Sequence, residues 1–152
     1  LGSARSLAMG QYVSFGQGAE ALATNPAALP THEQWGAYLQ AQERYGTGAF
    51  RTVWAGAFFP IWQQQIIGLS VGRFGDAVFS EQWLTVAYRH EAGPVRLAVF
   101  PQLFQFQAQG AGTRWVPTLN FGAVTQVGKQ VALAARVTNL TQSSPPEQAG
   151  WA

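Results

Sequence analysis

Apolar and polar residues alternate with a period of two from residue 34 almost to the end of the chain. This alternation places successive side chains on opposite faces of a β-strand. Turn residues such as Gly93-Pro94 and Gly110-Ala111-Gly112 separate the alternating segments. The pattern predicts an all-β, antiparallel up-and-down sheet. Its expected strands cover 34–45, 49–61, 65–74, 82–91, 95–107, 114–127 and 130–140.

Residues 1–33 lack this alternation and are predicted to form a separate N-terminal plug or strap. Ala19–Ala23 is long enough for about one helical turn, and Asn25-Pro26 should stop it, because a residue before proline avoids the helical region. Apolar side chains favour a packed segment over a solvated leader. They are Leu7, Met9, Tyr12, Val13, Phe15 and Leu22. We therefore expect a strap over 1–33 and barrel strands over 34–152.

The chain is poor in charge and rich in aromatic residues. Charged residues make up 11% of it, against roughly 25% in ordinary soluble domains. No segment approaches the roughly 20 consecutive apolar residues of a transmembrane helix. The mean hydropathy of −0.01 suits a membrane β-barrel, in which lipid-facing and lumen-facing residues alternate. A transmembrane barrel of about seven or eight strands is predicted, and a soluble β-sandwich or lipocalin-like barrel is the alternative.

The face opposite the aliphatic side chains carries Thr, Ser, Gly, Gln, Asn and a few Arg, as expected of a lumen rather than a water-facing surface. The predicted lumen-lining residues are Arg89, Arg96, Phe100, Gln102, Phe104, Phe106 and Arg136, and Trp54 and Phe58 share their side. These aromatic side chains either line a route for hydrophobic molecules or pack against the strap. Trp35, Trp83 and Trp115 fall near strand ends, where an interfacial aromatic girdle is expected.

The predicted strand count is odd, whereas bacterial single-chain barrels have an even number. We therefore expect either an incomplete barrel or one further strand within the first thirty residues. The chain starts at Leu1 without a charged and then apolar leader. This start is expected of a mature form whose signal peptide has been removed.

No catalytic or metal-binding pattern emerges from the sequence. The absence of Cys removes thiolate chemistry and disulfides. His32, His90 and Asp76 do not recur at the spacing of a triad or of metal ligands. With one lysine, Lys129, and dispersed arginines, the chain lacks a basic face for nucleic acid. We predict neither an enzyme, nor a cofactor, nor nucleic-acid binding.

The N-terminal segment carries a pattern that resembles a known family. It reads Ala4-Arg5-Ser6-Leu7-Ala8-Met9-Gly10, then Ala19-Glu20-Ala21-Leu22, then Asn25-Pro26-Ala27-Ala28-Leu29. This pattern is similar to the opening of outer-membrane proteins related to FadL, and more so to their PorV/PorQ-like branch in Bacteroidetes. The motif positions are Ala4, Arg5, Met9, Gly10, Asn25, Pro26, Ala27 and Leu29. Gln17-Gly18 replaces the acidic pair of that family.

The resemblance implies a barrel in the bacterial outer membrane with a structural or interaction role. Type IX secretion or surface-protein assembly is the process that it suggests. Partners would be outer-membrane lipid and other membrane or secretion-complex proteins. A FadL-like channel for hydrophobic small molecules, with a hydrophobic ligand, is the alternative, and a soluble β-domain is the third. Family members are longer than this chain, which agrees with an incomplete barrel.

Overall fold

The computed structural model describes residues 18–30, 35–44, 46, 50–128 and 131–142. Two short 3-10 helices come first, η1 (Ala19–Ala23) and η2 (Pro26–Ala28). Seven strands follow: β1 (Gly36–Arg44), β2 (Phe50–Trp62), β3 (Gln65–Gly75), β4 (Phe79–Ala92), β5 (Val95–Ala108), β6 (Gly112–Val127) and β7 (Val131–Val137).

The strands form one curled half-barrel sheet in the order in which they occur along the chain. Each strand is antiparallel to its neighbours. The prediction of an all-β, antiparallel fold is confirmed. Among the described residues the strands number seven, as the alternation predicted, and β1 and β7 are the two edges.

Two strand limits differ from the predicted ones by three residues, and the others by at most two. β4 begins at Phe79 rather than residue 82, because Asp76 closes a tight turn and lets pairing start early. β7 ends at Val137 rather than residue 140. There Asn139 has a φ of 56°, which a strand cannot hold, and its N–H donates to Oδ1 of Asn120 at 2.9 Å.

The convex face of the sheet is apolar and exposed. Leu39, Leu69 and Leu133 are 78%, 50% and 57% exposed. At central positions of the described strands, this face carries no Asp, Glu, Lys or Arg. Its exposed apolar side chains include Leu39, Val53, Phe59, Ile67, Leu69, Val71, Leu84, Val86, Tyr88, Leu97, Leu103, Phe121, Leu133 and Val137.

The concave face is covered by residues 18–30, the described part of the predicted strap. From here on, the strap means residues 18–30. Helix η1 packs on β1, β2 and β3, whereas η2 packs on β4, β5 and β6. The strap thus crosses most of the sheet, and the core lies between the two. This core consists of Ala19, Ala21, Leu22, Ala27, Ala28, Leu29, Phe58, Ile66, Ala87, Ala98, Phe100 and Val124.

The strap has the predicted helical turn at Ala19–Ala23, but Asn25-Pro26 does more than end it. Pro26 opens the second helix, where its missing N–H and fixed φ cost little. Asn25 is the N-cap of that helix, and its side-chain oxygen accepts from the N–H of Ala27. In the described part of the chain, no helix is long and apolar enough to cross a lipid bilayer.

The prediction that Trp83 belongs to an interfacial aromatic girdle is wrong. Trp83 lies in β4, is only 8% exposed, and points to the concave face. A Cβ on Gly72, its partner on β3, would overlap the indole ring. Trp83 fills the space over that glycine and belongs to the lumen side. In β4, Trp83 alternates in step with the inward-facing Thr85 and Arg89. The alternation of the strand therefore already indicated that Trp83 faces inward.

The β3–β4 turn gives a prediction for pH. Oδ1 of Asp76 accepts from the N–H groups of Val78 at 2.8 Å and Phe79 at 3.0 Å. Bonds from Phe79 and then Val78 lower the pKa of this carboxyl below its ordinary value of 3.8. A lowered pKa stabilises the fold at pH values above the unfolded-state pKa. That contribution disappears as the pH falls through the folded-state pKa.

We therefore expect the Asp76 carboxyl carbon to titrate by NMR below 3.8 in the native protein. In the unfolded protein it should titrate at the ordinary value. Above pH 5, Asp76→Ala should loosen the turn and speed exchange of the Phe79 amide. Equal titration midpoints in the two states would contradict this account.

Candidate functional site

The strap rests in a groove made by one row of paired residues. Arg89 on β4, Ala98 on β5, Gly122 on β6 and Arg136 on β7 are consecutive partners across the sheet. The two small residues leave room between the two arginines. A Cβ on Gly122 would overlap Oδ1 of Asn25, so glycine permits the strap to approach this closely.

Asn25 is fully buried and fastens the middle of the strap. Its Oδ1 accepts from the N–H of Ala27 at 3.2 Å. Its Nδ2 donates to the carbonyl oxygen of Ala135 at 3.4 Å. Because Ala135 lies on β7, this side chain joins the strap to an edge strand of the sheet.

Arg89 fastens the end of the strap. Its side chain is fully buried, and its Nη1 donates to the carbonyl oxygen of Leu29 at 2.6 Å. Its Nη2 forms an ion pair with Oε2 of Glu91, also at 2.6 Å. Nη1 of Arg96 reaches the same Leu29 carbonyl at 3.5 Å. Charged donors make the stronger protein hydrogen bonds, so this carbonyl is firmly held.

Arg136 and Phe100 form the wall beside Asn25. The guanidinium carbon of Arg136 lies 5.2 Å from the centre of the Phe100 ring, in cation–π geometry. Phe100 is itself buried and packs in the core shared with the strap. This aromatic side chain therefore has a packing role.

A cavity of about 290 Å³ adjoins η1 on the concave side. It is bounded by Leu22, Ala23, Trp54, Ser70, Glu81, Trp83, Thr85, Phe100, Gln102, Phe104 and Arg136. The Phe104 ring stacks on that of Phe106 with centroids 5.9 Å apart. Nε1 of Trp54 and Nε of Arg136 are buried without a hydrogen-bond acceptor. The cavity therefore combines aromatic walls with unused donors.

The predicted lumen residues fall into two groups on the concave side. Arg89 and Arg96 bind the end of the strap. The cavity is bounded by Phe100, Gln102, Phe104 and Arg136, and Phe106 stacks beside it. Five further cavity walls were not among the predicted lumen residues: Ser70, Glu81, Thr85 and the strap residues Leu22 and Ala23. Strand alternation indicates that Ser70, Glu81 and Thr85 face inward. No sequence pattern indicated where the strap crosses the sheet, so Leu22 and Ala23 could not be assigned to the cavity.

The predicted family motif is only partly within the described residues. Asn25, Pro26, Ala27 and Leu29 are all buried in the strap. Ala4, Arg5, Met9 and Gly10 lie outside the described residues. The four described motif positions therefore coincide with the part of the strap that the arginines and Gly122 hold.

The contact between Asn25 and Gly122 can be tested by a double-mutant cycle. Asn25→Ala removes two buried hydrogen bonds and should cost about 1–3 kcal/mol of unfolding free energy. Gly122→Ala should cost about 1–3 kcal/mol, because the new methyl group displaces the Asn25 side chain. In the double variant the methyl group has room, so the two losses should fall short of additive by about 1 kcal/mol. Chemical denaturation measures all three, and strict additivity would contradict the contact.

The described contacts of the site are hydrogen bonds, an ion pair, a ring contact and apolar packing. Within residues 18–30, 35–44, 46, 50–128 and 131–142, no three His, Cys, Asp or Glu residues cluster as metal ligands would. Arg89 donates to Leu29 and pairs with Glu91, and Arg136 lies over the Phe100 ring. Glu81 bounds the cavity. Comparison of the chain with models of known families, with curated proteins and with solved structures finds no match.

Proposed function

We propose that this chain forms part of a bacterial outer-membrane β-barrel with a structural or interaction role of the PorV/PorQ type. Secretion or surface-protein assembly is the process in which we place it. The observation that carries the proposal is the exposed apolar face on the convex side of the half-barrel, whose central positions carry no charge. A soluble barrel buries its apolar side chains inward and presents polar ones to water. In this sheet the exposed convex face is itself apolar, in addition to the apolar core on the concave side.

The height of the apolar face suits a bilayer. On β5 the convex side reads Val95, Leu97, Val99, Pro101 and Leu103 before Gln105 begins the polar end. Nine residues of a strand span about 26 Å. Tilted as barrel strands are, they cover about 20 Å of the membrane normal, close to the roughly 25 Å apolar band of such barrels.

Exposed tryptophans stand at both ends of the apolar face. Trp35 precedes β1 and Trp62 ends β2, at one end of the sheet, and they are 63% and 71% exposed. Trp115 lies near the start of β6, at the other end, and is 56% exposed. Indole side chains favour the two membrane–water interfaces. Their positions support a membrane-spanning sheet between them.

The strap supports the structural role over the channel. Asn25, Arg89 and Arg96 tie it to the concave wall. A segment held by buried charged bonds is costly to displace. One observation favours a FadL-like channel as the second candidate: the aromatic cavity beside η1.

Membrane association is the first test. Cells producing the native protein would be fractionated, and the membranes washed with high salt and then with carbonate at high pH. We expect the protein to stay in the outer-membrane pellet through both washes and to leave it only in detergent. Release by salt would favour a soluble β-domain and overturn the proposal.

The two roles are separated by Phe104 and Phe106, which lie beside the cavity and outside the buried core of the strap. For the structural role, the double variant Phe104→Ala and Phe106→Ala should leave uptake of a fluorescent long-chain fatty acid unchanged. A drop in uptake of about tenfold or more, equal to 1.4 kcal/mol, would instead favour the channel. Phe58→Ala is the control, because Phe58 is buried in the core shared with the strap and is not among the residues that bound the cavity.

A further inference from the structure

Two exposed arginines stand on the convex face at one end of the sheet. Arg51 on β2 lies two residues before the outward-facing Val53, and it is exposed. Arg73 on β3 lies two residues after the outward-facing Val71, and it is exposed as well. Val53 and Arg73 are direct partners, which makes Arg51 the diagonal neighbour of Arg73, with Cα atoms about 7–8 Å apart. One anionic group can therefore reach both guanidinium groups.

Neither guanidinium group is engaged within the part of the chain that the structure describes. No hydrogen bond or ion pair between described residues involves Arg51 or Arg73. Glu43 is the direct partner of Arg51 across β1 and β2, and it offsets one of the two positive charges. The group as a whole stays positive, so it attracts an anion.

A row of polar side chains continues from Arg73 across the convex face. Arg73 is the partner of Gln82 on β4, and Gln82 is the partner of Gln105 on β5. Both glutamine amides can donate hydrogen bonds. An anion held at Arg73 therefore has a neutral donor beside it on the next strand.

The next outward row towards the middle of the sheet is apolar. It consists of Val71, Leu84 and Leu103, which are partners across β3, β4 and β5. Their exposed fractions are 48%, 40% and 36%. A charged row thus borders directly on an exposed apolar one, as the phosphate of a lipid borders on its acyl chains.

The arginine end of the sheet has the longer connections between strands. The connections are 45–49, 76–78 and 109–111 at this end, against 63–64, 93–94 and 128–130 at the other. Transmembrane barrels have short turns on the periplasmic side and longer loops outside. This difference favours the outer leaflet as the lipid layer beside the arginines. At the other end, the convex face of the described strands carries neither Arg nor Lys.

We infer that Arg51 and Arg73 bind a phosphate of lipid A, the phosphorylated glycolipid of the outer leaflet, with its acyl chains over the apolar row. The inference rests on the proposed membrane function. A guanidinium group binds phosphate through two parallel hydrogen bonds, and basic side chains at the membrane surface attract anionic lipid. Gln82 donates to the same phosphate from the neighbouring strand.

Native mass spectrometry of the protein, extracted from outer membranes and freed of lipid in mild detergent, tests the inference. The probes are diphosphoryl lipid A, its dephosphorylated form and phosphatidylglycerol. We expect diphosphoryl lipid A to bind at least about tenfold more tightly than either of the other two. The double variant Arg51→Gln and Arg73→Gln should lose this preference, because both charged phosphate contacts are removed.

Arg114→Gln is the matched control. Arg114 is exposed at the same end of the sheet, but it is the partner of Phe106 on the concave side. It removes the same charge and should leave the binding of lipid A unchanged. An equal loss in this control, or equal binding of the dephosphorylated form, would overturn the inference. Equal binding of phosphatidylglycerol would assign the surface to a phospholipid and overturn it too.

The salt and carbonate washes separate this inference from the proposed function. If the protein stays in the washed membranes but shows no preference for diphosphoryl lipid A, the lipid site is wrong and the membrane role stands. Release of the protein by salt would overturn both.

Discussion

Replacing Arg89 by methionine should lower the free energy of unfolding by about 3 kcal/mol, because it breaks a part-buried ion pair and leaves the Leu29 carbonyl with only the longer bond from Arg96. The Arg89 side chain is fully buried, and it binds both the Leu29 carbonyl and Glu91. Methionine fills much of the same volume, so the loss reports the polar contacts. Denaturant unfolding of the native protein in detergent measures it.

Arg96→Met is the matched control. Arg96 reaches the same Leu29 carbonyl, but at 3.5 Å and from a half-buried position. Its loss should cost less than about 1 kcal/mol. Arg89→Lys keeps the positive charge but lacks the two guanidinium nitrogens that bind Leu29 and Glu91 separately. Its loss of unfolding free energy should lie between those of Arg89→Met and Arg96→Met. If Arg89→Met and Arg96→Met were equally costly, Arg89 would not be what fastens the strap.

The strap offers a second readout for the same variants. In Arg89→Met, limited proteolysis should cut the strap, residues 18–30, faster than in the unaltered protein, while strands β4 and β5 stay resistant. Uniform loss of resistance would indicate that the whole sheet, rather than the strap, depends on this arginine.

Leu69→Arg should prevent stable assembly in the membrane, since an arginine on the lipid-facing side of a barrel costs about 2–4 kcal/mol near the bilayer centre. Leu69 lies at the middle of β3 on the convex face and is half exposed. We expect the variant to be depleted from the washed outer-membrane fraction. Quantitative immunoblotting of the pellet and supernatant checks this.

Gln107→Arg is the matched control on the same face. Gln107 is exposed near the end of β5, beyond the apolar positions. Here the same charge should cost at most about 1 kcal/mol, because the penalty falls towards the interface. In a soluble β-domain both substitutions would be harmless, since each side chain would meet water. Equal amounts of the two variants in the membrane would therefore count against the membrane role.

The sheet was predictable from the sequence because side-chain alternation has a period that only a strand satisfies. Successive residues such as Leu69 and Ser70 or Val86 and Ala87 separate cleanly into exposed and buried faces. The same alternation predicted that the side chains of Arg89, Phe100 and Arg136 face inward. Glycine-containing turns marked most strand ends, because they supply the positive φ that these turns need.

The exceptions arose where side-chain hydrogen bonds override the pattern. Asp76 closes a turn that starts β4 early, and Asn120 receives the N–H that ends β7 early. The path of the strap could not be read at all. It depends on Gly122 and Asn25, which lie far apart in sequence and fit together only in three dimensions.

The bond between Asn25 and Ala135 sets an order for folding. It joins residues 110 positions apart, and the bonds from Arg89 and Arg96 to Leu29 span 60 and 67 positions. Contacts of such long range form slowly, since the entropy of closing a large loop must be lost first. The strap is synthesised early, yet its anchors arrive with β4, β5 and finally β7. We therefore expect the strap to dock only once the sheet has formed, in one of the last steps of folding.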